Sequence, residues 1–140
     1  MCRPTAAVYH ESHELNYFCS PRNIKMKTST ISIDVQLNED KVPEAIYWNA
    51  SDSTIENRQR AKALMLAFWD SAEKTALRID LWTKDMMIDE MTDFFYQTFM
   101  TMADTYGRAT QHQELVENMK RFAQEFYHQS REKQLKENKA

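Results

Sequence analysis

Residues 77–110 read LRIDLWTKDMMIDEMTDFFYQTFMTMADTYGRAT, and this stretch decides the fold class. Leu77, Ile79 and Leu81 alternate with polar residues or tryptophan, which is the period of a β-strand with one apolar face. After the polar residues 83–85 the period changes, and apolar residues recur every three or four positions, as on an amphipathic helix. A strand followed directly by a long helix predicts an α+β domain.

The start of this helix carries acidic residues. We predict that Asp85 caps the helix and that Asp89, Glu90 and Asp93 favour the positive end of its macrodipole. The only glycine, Gly107, lies close to the predicted end. The predicted buried stripe consists of Ile88, Met91, Phe95, Phe99, Met102 and Tyr106.

The flanking sequence adds further elements. Alternation over residues 30–37 and again over 44–49 predicts a β-hairpin. A helix is predicted to about Trp69. Asp52 or Ser53 can cap it, and Ser53 and Glu56 have capping-box spacing. Its basic residues, Arg58, Arg60 and Lys62, are expected to face largely outward. Its apolar face consists of Ala61, Leu64, Met65 and Phe68. The polar segment 70–74 is predicted to form a turn before the third strand.

The last predicted element is a C-terminal helix. Thr110 and Gln113 offer a second capping box at its start. Its predicted apolar face consists of Leu115, Met119, Phe122 and Phe126. The predicted order is therefore β-β-α-β-α-α, with a small, mainly antiparallel sheet packed against helices.

Composition narrows the function classes. The chain has 140 residues, 42% of them hydrophobic and 28% charged, which is typical of one globular domain. A formal net charge of −3 gives no basic field for nucleic acid. No apolar run reaches the length of a membrane span, so we expect a cytoplasmic protein that does not cross a membrane. Residues 1–25 are predicted to be a disordered extension, and residues 26–140 a single domain.

The sequence contains no recognised motif for nucleotide binding, metal binding or catalysis. One glycine excludes the glycine-rich loops that cradle nucleotide phosphates. The spacing of Cys2, His10, His13 and Cys19 matches no ordinary zinc finger. His112 and His128 lie about four helical turns apart, too far to act together. The sequence therefore predicts no catalytic residues, no metal site and no cofactor.

A protein-contact surface is the better candidate. It is predicted at the end of the third strand and in the turn that follows, because exposed aromatic and arginine side chains supply much of the energy of interfaces. The candidate residues are Arg78, Asp80, Trp82, Lys84 and Asp85. The alternative for Arg78 and Asp80 is a purely structural role, in which they pair across neighbouring strands. Trp82 falls on the face opposite the apolar residues of its strand, and its alternative role is to cover a second packed layer.

These segments also resemble a known family. From Met26 to about Tyr127 the chain is similar to the gliding motility-associated protein GldC family of gliding Bacteroidetes. The resemblance is carried by MKTSTISIDVQLNEDKVPEAIYWNA, AKALMLAFWDS, LRIDLWTKDM, MTDFFYQTF and TMADTYGRAT, of which RIDLWTKDM is the most specific.

The resemblance implies a small cytoplasmic accessory protein of the gliding apparatus, which moves adhesins along the cell surface and is tied to type IX secretion. Its implied partners are other proteins of that machinery. The family brings no catalytic or cofactor residues to this chain. Two alternatives remain at this point: a homo-oligomeric scaffold, and a small-ligand-binding protein that uses a pocket between sheet and helices.

Overall fold

The computed structural model describes residues 26–52 and 57–138, and β-strands make up the first half of this part of the chain. The first sheet is antiparallel, with the strand order β1 (Ile31–Leu37), β2 (Pro43–Ala50) and β3 (Gln59–Ala61). A separate antiparallel hairpin consists of β4 (Ala63–Asp70) and β5 (Thr75–Trp82). The helices α1 (Ile88–Thr110) and α2 (Gln113–Glu137) follow. The α+β class is confirmed, with the order β-β-β-β-β-α-α.

The predicted hairpin at the start of the described chain is confirmed. Its turn is held by Asn38, whose side-chain oxygen accepts hydrogen bonds from the N–H groups of Asp40 at 3.0 Å and Val42 at 2.9 Å. The central strand β2 places Ile46 opposite Val35 on one side and Ala61 on the other. Ile46 is only 1% exposed and is thus a centre of the first sheet.

The predicted helix between Ser53 and Trp69 is wrong over its described part. Residues 59–61 and 63–70 are strands, and β4 pairs with β5 along its whole length. The apolar spacing of this segment fits a helix and a strand equally well, and pairing with β5 decides between them. Its proposed cap, Ser53 with Glu56, lies outside the described residues, as do the predicted extension 1–25 and its cysteines and histidines.

The β4–β5 hairpin has two unlike faces. Its turn is confirmed at Asp70, whose carboxylate accepts the N–H groups of Ala72 at 2.8 Å and Glu73 at 3.2 Å. Cross-strand pairs share a face. The register gives one face with three successive apolar pairs, here called the leucine face, which consists of Leu64, Leu66, Phe68, Leu77, Ile79 and Leu81. Its outer half, towards the turn, is exposed.

The two helices pack closely along small residues. Ala103 on α1 and Ala123 on α2 are fully buried. A Cβ atom on Gly107 would lie 3.0 Å from a methyl carbon of Val116, so the helix backbones approach closely at this position. Phe99 packs edge-on against Phe126, with ring centroids 5.5 Å apart. The helical hairpin is therefore held by a narrow seam.

The outer side of this seam is not covered by another layer in the described structure. Four residues of the predicted helix stripes are largely exposed, namely Ile88, Met102, Leu115 and Phe122. The stripe was predicted too wide, because residues that flank the seam have the same spacing as those inside it.

Both predicted helix caps also need correction. The N-cap of α1 is Met87, and Asp85 lies before the helix. Thr110 is the last residue of α1, and α2 begins at Gln113 after the N-cap His112. In α1 the capping role passes to Glu90, whose carboxylate accepts the Met87 N–H at 2.9 Å. The acidic first turn itself is confirmed, with Asp89 and Glu90.

Candidate protein-contact surface

The candidate surface is positioned by a junction between β3, β4 and β5. The carbonyl oxygen of Lys62 accepts the backbone N–H of Thr83 at 2.7 Å and the hydroxyl of Thr83 at 3.1 Å. Thr83 is almost completely buried. These bonds fix the end of β5, so the side chain of the preceding residue, Trp82, leaves the sheet in a defined direction.

The side chain of Lys62 ties this junction to the first turn of α1. Its ammonium donates to both carboxylate oxygens of Glu90 at 2.8 Å and to the backbone oxygen of Asp85 at 3.3 Å. The hydrogen bond to Glu90 raises the pKa of Lys62, and the same bond lowers the pKa of Glu90. The charged forms of both groups therefore hold the helix against the strands.

This pair makes the fold sensitive to acid. Because the pKa of Glu90 is lowered in the folded chain, its stabilising effect is complete above the ordinary value of 4.5 and is lost as pH falls through the lower folded value. We expect Glu90→Gln to be less stable than the native chain at neutral pH and to lose less of its remaining stability on acidification. Urea unfolding across this pH range measures both effects.

The control for this measurement is Glu39→Gln, which changes a carboxylate on the exposed loop between β1 and β2. We expect its unfolding curve to follow the native chain at every pH. An identical acid response in Glu90→Gln and the native chain would contradict the role given to the Lys62–Glu90 pair.

Trp82 stands between two apolar clefts at the meeting point of β5 and the helices. The first has a volume of about 390 Å³ and is lined by Trp82, Met86, Met87, Ile88, Met91, Thr92, Phe95 and Phe126. The second, of about 360 Å³, is lined by Ala63, Leu64, Met65, Arg78, Asp80, Leu81, Trp82, Met91, Phe94 and Phe95. The indole is 56% exposed, so it forms part of the wall of each cleft and still meets solvent.

Three of the predicted surface residues lie together. Arg78, Asp80 and Trp82 are alternate residues of β5 and so point to the same face of the hairpin. The guanidinium of Arg78 lies 3.0 Å from the carboxylate of Asp80, and both side chains are substantially exposed. They pair within one strand and not across neighbouring strands. All three line the second cleft.

The other two predicted residues are held by partners elsewhere in the chain. The Lys84 ammonium donates a hydrogen bond to Glu44 at the start of β2. The Asp85 carboxylate lies 3.7 Å from the Arg60 guanidinium. The Thr83 hydroxyl is the largest influence that lowers the pKa of Asp85, followed by its own backbone N–H and the charges of Lys62 and Arg60. Lys84 and Asp85 therefore anchor the turn beside Trp82.

The two histidines considered for catalysis, His112 and His128, do not line either cleft. His112 lies between the helices with its Nδ1 3.2 Å from the Tyr106 hydroxyl, and His128 is exposed on α2. Over residues 26–52 and 57–138, no group of three or more His, Cys, Asp or Glu side chains is placed to hold a metal ion. None of the helices in the described part of the chain has the length and apolarity that a membrane crossing requires.

Comparison with known proteins identifies the family. The family model described as gliding motility-associated protein GldC-like matches residues 43–132. This chain belongs to the GldC-like family. No curated protein and no solved structure matches it. The resemblance stated from the sequence is confirmed, and the matched segment runs from the first residue of β2 into α2.

The GldC-like segment contains the junction and both clefts. Sequence reasoning missed Lys62, which it placed on the outer side of a helix, and it also missed Thr83. A signal for Lys62 was present, because it is the only charged residue in the run AKALMLAFW over residues 61–69. A charged side chain among packed apolar residues requires an oppositely charged or hydrogen-bonding group nearby. For Lys62 that group is the carboxylate of Glu90.

Proposed function

We propose that this chain is a non-catalytic, cytoplasmic accessory protein of the gliding motility machinery, and that it binds another protein of that machinery at the Trp82 clefts. Membership of the GldC-like family supports the link to gliding motility. The exposed indole between two apolar clefts carries the assignment of the contact surface.

The lining of the clefts suits a protein partner. Methionine side chains are flexible and polarisable, so a surface that contains Met86, Met87 and Met91 adapts to the shape of an incoming apolar side chain. A partly exposed tryptophan supplies a large contact area at little cost in conformational entropy. Together these residues favour the docking of a short apolar segment from a partner protein.

The charges at the edge of the clefts also favour binding over catalysis. Arg78 pairs with Asp80, and Lys62 pairs with Glu90. General acid and base catalysis requires a titratable group within reach of the reacting atoms. The charged residues that line the second cleft, Arg78 and Asp80, are thus engaged with each other, and the Lys62–Glu90 pair holds the neighbouring junction.

The test is affinity capture from gliding cells with three forms of the full chain. Trp82→Ala is expected to reduce recovery of gliding-machinery proteins about tenfold or more, since truncating a central tryptophan of an interface commonly has that effect. The matched control is Trp69→Ala. Trp69 is 69% exposed and points to the same face of the hairpin as Trp82, but it lies outside both clefts.

Mass spectrometry of the captured proteins provides the measurement. Recovery with Trp69→Ala is expected to equal that of the native chain. Circular dichroism and thermal unfolding check that Trp82→Ala keeps the fold. Equal recovery with both variants would contradict the proposed surface.

A further inference from the structure

The outer edge of β5 is unpaired within the described residues. β5 pairs with β4 on one side, and no strand of residues 26–52 or 57–138 pairs with it on the other. At the C-terminal end of this edge the chain lies close by: the N–H of Lys84 donates to the backbone oxygen of Pro43 at 3.1 Å, and Val42 and Pro43 line a small cleft with Leu81 and Trp82. An open strand edge with exposed apolar side chains is a ready site for pairing with another strand.

The sequence of this edge is self-complementary. Residues 77–81 read Leu-Arg-Ile-Asp-Leu, with apolar residues arranged symmetrically about Ile79 and opposite charges on either side of it. If two antiparallel copies of this segment meet at Ile79, each Leu77 lies opposite a Leu81 and each Arg78 lies opposite an Asp80. Every cross-strand pair in this register is therefore favourable.

We propose that β5 pairs with β5 of a second copy of this chain, antiparallel and with the two Ile79 residues on the twofold axis. The result is a four-stranded antiparallel sheet with the strand order β4-β5-β5-β4. The leucine faces of the two copies join into one continuous apolar surface. This proposal does not rest on the function proposed above.

The choice of a second copy as the occupant follows from the register. A shift by one residue would place Leu77 beside Asp80 on one face, so only even shifts keep the apolar residues together. Among these, the register centred on Ile79 brings both Arg78–Asp80 pairs opposite each other. In the single chain these two residues pair only along their own strand, as solvent-exposed neighbours. In an isologous dimer each Arg78 lies opposite Asp80 of the other copy, so the cross-strand ion pair forms at two symmetric positions.

The low stability expected of an isolated hairpin also favours pairing with a second copy. A two-stranded hairpin is marginal in water, and four strands give a sheet of ordinary size. Leu77 is 54% exposed and Ile79 is 48% exposed in the single chain. In the dimer each of them gains an apolar neighbour across the axis. The Trp82 side chains remain on the opposite face, about 20 Å apart by strand rise. The first cleft, to which β5 contributes only Trp82, therefore stays accessible.

Charge reversal tests this register. The full chain is expected to sediment as a dimer of the 16.6 kDa polypeptide. Arg78→Glu places a carboxylate opposite Asp80 of the second copy, and Asp80→Arg places two guanidinium groups opposite each other. Each variant alone is expected to self-associate at least about tenfold more weakly, since like charges directly opposite are destabilising.

Mixing the two charge variants is the decisive step. An equimolar mixture of Arg78→Glu and Asp80→Arg restores opposite charges at both cross-strand positions, so we expect mixed dimers to form. An ion pair within one strand cannot explain such dimers, because each variant chain carries two like charges at positions 78 and 80. Mixed dimers therefore report contact between the two copies at these positions.

Cysteine crosslinking tests the position of the axis. In a full chain with Cys2 and Cys19 replaced by serine, Ile79→Cys is expected to form a covalent dimer with a short bifunctional maleimide. Leu77→Cys is the matched control, because it lies on the same face with similar exposure. Its equivalents are about 14 Å apart in this register and are expected to stay unlinked.

Three results would overturn the proposal. The first is a native chain that sediments as a monomer at micromolar concentration. The second is a native dimer that both charge reversals leave intact, or that their mixture fails to restore. The third is crosslinking of Leu77→Cys without crosslinking of Ile79→Cys, which would place the contact in another register.

Discussion

Replacing Ile46 with alanine is expected to lower the free energy of unfolding by about 2–5 kcal/mol, the range found for truncating a buried isoleucine. Ile46 lies on the central strand of the first sheet, between Val35 and Ala61, and is 1% exposed. Few large side chains of the described residues are buried to this degree, so little other packing compensates for the cavity. Urea unfolding at one fixed protein concentration measures the loss, because the proposed dimer would make stability depend on concentration.

The matched control is Ile31→Ala. Ile31 lies on the adjacent strand β1 and is 71% exposed. Its truncation is expected to change the free energy of unfolding by no more than about 0.5 kcal/mol, as is usual at the surface. Similar losses for the two variants would show that Ile46 is not the centre of this sheet.

Replacing Ala103 with leucine is expected to destabilise the helical hairpin by about 1–3 kcal/mol or more, because the larger side chain overpacks the seam. Ala103 is fully buried where α1 faces α2, and the close approach at Gly107 and Val116 leaves the helices little freedom to separate. Separation would also weaken the contact between Phe99 and Phe126. Thermal unfolding followed by circular dichroism measures the effect.

Met102→Leu is the control for this change. Met102 precedes Ala103 on α1 but is largely exposed, so leucine at this position has space and keeps a good helix former. We expect no more than a small shift in the melting temperature. A melting temperature of Ala103→Leu equal to that of Met102→Leu would refute the close-packed seam.

Local periodicity was enough to predict most of the fold. Alternation located β1, β2 and β5, and three- and four-residue spacing located α1 and α2, because each of these elements has one face that is more apolar than the other. The turn at Asp70 was also predictable, since a short polar side chain that accepts backbone N–H groups favours a turn. The family resemblance rested on the same segments and was confirmed by the match over residues 43–132.

The strands β3 and β4 could not be predicted from local sequence patterns. Alanine, leucine and methionine favour helices, and the run over residues 61–69 is rich in them. β4 is a strand because it forms eight cross-strand pairs with β5, and β3 is a strand because it pairs with β2. Tertiary pairing overrides intrinsic propensity in such cases.

The candidate surface was predicted in part. Trp82 stood out because it falls on the face opposite Leu77, Ile79 and Leu81, and the structure places it between two clefts. The anchoring of Lys84 by Glu44 was not predictable, because it joins positions 40 residues apart. The same is true of the Lys62–Glu90 pair, which joins positions 28 residues apart.

We propose that a protein of the gliding machinery binds this GldC-like chain around Trp82. The most direct measurement is the affinity of the purified captured protein for three full-length forms: native, Trp82→Ala and Trp69→Ala. We predict about tenfold or weaker binding for Trp82→Ala and unchanged binding for Trp69→Ala. Equal affinities for all three forms, with the fold of each intact, would contradict the account.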